Sequence, residues 1–98
     1  MKLVVLKFGG TSVANVSLIK KIASKVKKEV NKDYKVVVVV SAMAGVTNNL
    51  IDLVKSISTS PPYSEYDVVL SSGEQVTSAL LAIALDDLGI KARSWLGW

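Results

Sequence analysis

The chain has 98 residues, half of them hydrophobic, and a net charge of +4 from 12 Lys+Arg against 8 Asp+Glu. That length suits one small domain or a piece of a larger one. Cysteine and histidine are both absent, which excludes a disulfide framework, a thiolate or imidazole metal site, and Ser-His or Cys-His catalysis within this chain.

Leu3–Leu6 is an apolar run without polar alternation, which predicts a short strand buried on both faces. It is too short for a signal-peptide core and no small-residue cleavage site follows, so a cytoplasmic location is expected. No apolar run in the chain reaches the ~18 residues that a membrane span requires. Gly9-Gly10 predicts a turn, after which Thr11 or Ser12 can cap a helix running to about Asn31. Val13, Val16, Ile19, Ile22, Ala23, Val26 and Val30 recur at helical spacing along it. Lys20, Lys21, Lys25, Lys27, Lys28 and Lys32 mostly occupy the opposite face. A basic cluster can bind nucleic acid or phosphate, but no aromatics interleave with these lysines. They read as the solvated side of an amphipathic helix, with no nucleic-acid partner expected.

Asn31-Lys32-Asp33 is a break, and Val36–Val40 is a second strand expected to be buried. Ser41 to Asn48 reads as a loop of small and polar residues. Leu50, Leu53, Val54 and Ile57 mark a second helix. Ser58 to Ser64, with Pro61-Pro62, reads as a surface loop. Tyr66–Leu70 suits either a short strand or the first turns of the next helix, and helix is favoured. Val76, Leu80, Ile83, Ala84 and Leu88 mark that helix, stopped by Gly89. Ile90–Trp95 is expected to begin another strand. The β-α-β-α order predicts a parallel sheet with helices on its faces. Ligands of such folds gather beyond the carboxyl ends of the strands.

Three stretches carry candidate chemistry. In "VVLKFGGTSV", glycines at a strand end allow backbone N–H groups to approach an anion closely. Lys7 adds a point charge, and Thr11 and Ser12 add hydroxyl donors. Together they could hold a phosphoryl group and offset the charge that develops during its transfer. The plainer reading is a tight strand-to-helix turn with a Thr/Ser cap. The stretch is not a Walker A loop, since its lysine precedes the glycines. In "VSAMAGVTNNL", Ser41, Gly45 and Thr47 could line a pocket, or Thr47 or Asn48 could simply cap the second helix. In "SSGEQVTSALL", Ser71 and Glu74 have the spacing of a capping box. Alternatively the Glu74 carboxylate faces the pocket and pairs with a substrate ammonium group.

Taken together, "KFGGTSV", "VVVVSAMAGVTN" and "SSGEQVTSALLAIAL" resemble the aspartate kinases of the amino-acid kinase superfamily, in that order and at similar spacing. The tail "IKARSWLGW" is similar to a family segment that usually reads threonine-glycine-tryptophan-glutamine, with Leu96 where threonine is common. The resemblance covers essentially the whole chain. K-F-G-G-[TS]-S-[VL] is fairly specific to aspartate kinases, while members acting on glutamate, carbamate or UMP carry other versions of each loop.

The resemblance implies an α/β three-layer sandwich of the carbamate kinase-like type, with a mostly parallel sheet and helices on both faces. It implies transfer of the γ-phosphoryl of ATP to the side-chain carboxylate of L-aspartate, giving 4-phospho-L-aspartate for lysine, diaminopimelate, threonine and methionine synthesis. By the same resemblance Lys7 contacts the transferring phosphoryl, and Gly9 and Gly10 offer it their N–H groups, with Thr11 and Ser12 in the same loop. Ser41 and Thr47 stand near the aspartate, and Glu74 holds its amino group. Mg²⁺ arrives with ATP, without protein ligands in this chain, and the parent enzyme is a homo-oligomer. Family members are several times longer. Residues 1–98 are therefore expected to be the N-terminal, aspartate-binding part of the catalytic domain, lacking the ATP-binding half and the regulatory ACT domains. The last strand would then be an unpaired edge. The alternative is a non-catalytic remnant, or a half-site that needs a complementing chain.

Overall fold

A computed structural model describes residues 2–95. Its elements are β1 (Leu3–Phe8), α1 (Val16–Val30), β2 (Lys35–Val40), α2 (Val46–Ile57) and α3 (Tyr63–Asp87). β1 and β2 pair in parallel from Leu3↔Lys35 to Phe8↔Val40. The crossover between them is α1, as a parallel connection requires.

The core forms where α1 and α3 meet the sheet. Ile19, Ile22, Ala23 and Val26 of α1 pack with Leu81 and Leu85 of α3 and with Val13. Leu6, Phe8, Val36, Val38 and Val40 close this core from the sheet. The strands thus alternate, with one face half-buried and the other exposed. Leu3, Val5, Val37 and Val39 remain 46–62% exposed on the outer face, which they share with Lys7 and Lys35. The expectation of burial on both faces fails because both helices that touch the sheet lie on one side of it.

The cap of α1 is also not where the sequence suggested. Thr11 and Ser12 lie in a turn, closed by the Ser12 N–H donating to the Gly9 carbonyl at 3.1 Å. The N-cap is Asn15, whose side-chain oxygen accepts from the Leu18 N–H at 2.9 Å. This satisfies a donor that the first turn leaves without a partner. Asn15→Ala should lower stability by about 1 kcal/mol. In thermal unfolding that reads as a fall in Tm of roughly 4–8 °C for a chain of this size; an unchanged Tm would deny the cap its role.

α2 begins after Gly45, which adopts a left-handed φ of 83° and provides no side-chain cap. Thr47 and Asn48 are inside the helix and cap nothing. α3 begins directly after Pro62 and runs unbroken for 25 residues, so Tyr66–Leu70 is helical and the preceding loop ends at Pro62. Ser71 and Glu74 fall well inside α3, which rules out the capping box. The Ser71 hydroxyl instead donates to the Val68 carbonyl at 3.2 Å. α3 is long and apolar enough to cross a membrane by length and composition. Here Gly73, Thr77, Leu81 and Leu85 are buried along one side of it, against α1 and α2, while Val68, Val76 and Ile83 stay exposed.

Gly89, at φ 81°, ends α3, and the Ile90 N–H returns to the Leu85 carbonyl at 3.0 Å. Ile90–Trp95 is not a strand. It stands off from β2 across a cleft of about 660 Å³ lined by both, and a ladder needs strands about 4.8 Å apart. The Arg93 guanidinium lies 4.8 Å from the centre of the Trp95 ring. Leu96, which departs from the expected tail motif, lies outside the described residues.

Candidate functional site

The parallel register sets the site's frame. Because Phe8 pairs with Val40, the two strands end level and their loops leave side by side. The glycine loop and the Ser41–Gly45 loop then touch: a Cβ built on Gly10 would lie 3.2 Å from the Ala42 carbonyl oxygen. At that distance a side chain at position 10 would force the second loop to yield. The second loop is folded tightly, with the Val46 N–H donating to the Met43 carbonyl at 3.0 Å.

α3 joins these loops from the other side. A Cβ on Gly73 would lie 2.9 Å from the Ala42 Cβ, 3.3 Å from Val46 Cγ1 and 3.5 Å from Leu50 Cδ1. Ala42, only 4% exposed, therefore sits between Gly10 and Gly73. Thr77, fully buried, donates its hydroxyl to the Gly73 carbonyl at 3.1 Å, which adds a bond across the turn of helix that carries Gly73 and Glu74.

The sequence-predicted residues divide into groups. Lys7 is the penultimate residue of β1, exposed on the outer face and opposite Val39. Gly9, Thr11 and Ser12 are exposed in the glycine loop, and the Ser12 N–H is used within the turn. Ser41 is partly buried at the end of β2, and Thr47 is partly buried in the first turn of α2. Glu74 is exposed on α3 and borders the cleft beside β2, together with Ser78, Arg93 and Ser94. The structure thus brings the glycine loop, the second loop and the Glu74 segment together through Ala42. No hydrogen bond or ion pair joins Lys7 to Glu74 among the described residues. Lys7 stands on the outer face of the sheet, and Glu74 stands on α3, which packs against the other face.

Sequence reasoning passed over Ala42, Gly73 and Thr77. The available signal was Gly73 itself, a glycine inside an otherwise helix-favouring run, which commonly has a packing reason. Among the described residues no group of three His, Cys, Asp or Glu side chains converges as a metal cage.

The profile of the Amino acid kinase family matches residues 2–97. An aspartokinase of Rickettsia felis is 56% identical over 101 aligned residues, which cover 100% of this chain and 25% of that protein. The chain therefore spans about a quarter of the length of the curated relatives it matches. An aspartate kinase structure from Synechocystis superposes with a TM-score of 0.86 at 45% identity, over 90% of this chain and 15% of that one. A structure of E. coli aspartokinase III in complex with aspartate and ADP superposes with a TM-score of 0.74 at 21% identity, over 95% of this chain and 30% of that one. At that identity the last likeness speaks for the α/β fold alone.

Proposed function

This chain belongs to the amino acid kinase family, and we propose that it forms the aspartate-binding, N-terminal part of an aspartate kinase catalytic domain. The reaction is transfer of the ATP γ-phosphoryl to the side-chain carboxylate of L-aspartate, yielding 4-phospho-L-aspartate and ADP, at the entry to lysine, diaminopimelate, threonine and methionine synthesis. The observation that carries this reading is the meeting of two motif loops and the Gly73–Glu74 segment of α3 around Ala42, at the carboxyl ends of parallel strands. Support also comes from the 56% identity to the Rickettsia felis aspartokinase and from the 45% identity to the aspartate kinase of Synechocystis.

In this reading the protein aligns reactants and neutralises charge. The aspartate carboxylate, with a reference pKa of about 3.9, is already a nucleophile at neutral pH. No general base is required, which suits a chain without histidine. The Gly9 and Gly10 N–H groups and the Lys7 ammonium receive the phosphoryl oxygens as it passes between donor and acceptor, and Thr11 and Ser12 border it. Glu74 holds the substrate ammonium, and Ser41 and Thr47 offer hydroxyls to the rest of the amino acid. Mg²⁺ comes as a complex with ATP. The ATP-binding half and the ACT domains are assigned to polypeptide beyond residues 1–98, in a homo-oligomeric cytoplasmic enzyme.

Calorimetric titration of the chain tests this. L-Aspartate should bind saturably, while succinate, which lacks the ammonium group, should bind at least about tenfold more weakly, because a charge-assisted bond contributes about 1.5–3 kcal/mol. No binding of L-aspartate would favour the non-catalytic alternative.

A further inference from the structure

We infer that Gly73 is a positioning residue for Glu74: its missing side chain lets α3 close onto Ala42, and this contact sets where the carboxylate stands relative to the glycine loop. The inference rests on the functional reading of Glu74 but adds a residue and a contact to it. A glycine inside a 25-residue helix is unfavourable for the helix itself, so something outside the helix must require it. That requirement is visible at Ala42. Two methyl carbons at 2.9 Å overlap well inside the ordinary contact distance of carbon atoms. Val46 Cγ1 and Leu50 Cδ1, at 3.3 and 3.5 Å, are side-chain ends that can give way. Any retreat of Ala42 carries it towards the glycine loop, since a Cβ at position 10 would lie only 3.2 Å from its carbonyl oxygen.

A methyl group at position 73 would therefore push α3 away, or push the second loop towards the glycine loop. Either movement changes the distance between Glu74, the next residue of α3, and the phosphoryl-binding turn. Thr77 stiffens the arrangement through its bond to the Gly73 carbonyl, so the displacement would pass to Glu74 as a movement of the helix turn.

Three variants test this: Gly73→Ala, Ala42→Gly, and the double variant that carries both. The double variant moves the methyl from one side of the contact to the other and conserves volume. Calorimetry with L-aspartate is paired with amide NMR signals of Gly10 and Glu74. Gly73→Ala should weaken aspartate binding by about tenfold or more, as misplacement on the ångström scale does, and should shift both amide signals. The double variant should restore binding to within about threefold and return the signals towards their original positions. A loss of stability alone would be indifferent to succinate versus aspartate, whereas misplacement of Glu74 erodes the preference for aspartate.

Unchanged binding and unchanged amide signals in Gly73→Ala would overturn the inference, as would a double variant no closer to the parent than the single one. If Gly73→Ala does not fold, a folded double variant that binds aspartate upholds the inference, and one that also fails to fold overturns it. If the parent chain does not bind L-aspartate, the functional reading falls, and the amide signals alone decide whether the Gly73–Ala42 contact positions Glu74.

Discussion

Lys7→Ala, made in a catalytically complete enzyme that carries this segment, should reduce kcat by about 10³-fold while the fold is retained. The size of the loss follows from the task assigned to the ammonium. Preorganised groups that meet developing charge typically account for 10²–10³ in rate when removed singly, and cationic groups on a transferring phosphoryl for 10³ or more. A 10³-fold loss corresponds to about 4 kcal/mol of barrier. Retention of the fold follows from where the side chain stands. Lys7 is exposed on the outer face of β1, and surface replacements of this kind usually change stability by less than about 0.5 kcal/mol. Steady-state turnover and thermal unfolding, measured on the same protein, separate the two effects. Near-normal turnover would remove Lys7 from the phosphoryl site.

Glu74→Ala should raise the KM for aspartate about 100-fold and leave the KM for ATP within about twofold. Removing one partner of a charge-assisted bond loses about 1.5–3 kcal/mol, and about 2.7 kcal/mol corresponds to two decades in affinity. The structure removes the main competing account. A capping residue would have lowered stability with no effect on KM, but Glu74 lies in the middle of α3 and is exposed. Its replacement by alanine, the best helix former, should leave Tm unchanged or slightly raised. Glu74→Gln keeps the shape and removes the charge, so it should resemble the alanine variant if pairing with an ammonium group is the role. Equal changes in both KM values would point to general disturbance of the loops and away from a contact with aspartate.

The fold was legible where periodicity is strong. The valines of β2 and the heptad-like recurrence from Val16 to Val30 announced a strand and an amphipathic helix, and the parallel pairing followed from their order. What was misread depended on tertiary context. Thr11 and Ser12 are chemically good caps, but the turn at Gly9–Ser12 places them too early, and Asn15 takes the role. Ser71 and Glu74 have capping spacing, but the helix that contains them already began at Tyr63 after the two prolines. A local pattern cannot tell whether a helix is starting or continuing. Ile90–Trp95 has the composition of a strand, yet a strand exists only beside a partner, and here a cleft separates it from β2. The site was legible as three separate motifs and not as a single place. Their convergence on Ala42 depends on the closeness of segments more than 30 residues apart, a distance that local spacing cannot express.

The strict alternation of β1 gives Lys7 a second consequence, in the fidelity of folding. Val4, Leu6 and Phe8 face the helices, while Leu3, Val5 and Lys7 face outward. Side chains on a strand repeat every two residues, so sliding β1 by one residue against β2 would invert the whole set. Lys7 would then enter the apolar layer beneath α1 and α3, and stripping an unpaired ammonium of water there costs several kcal/mol. The valine run of β2 offers little discrimination between registers, since every position from Val36 to Val40 is the same residue. Lys7, with Lys35 opposite Leu3, thus acts as an error check on assembly, making mispaired strands self-rejecting before any ligand is present.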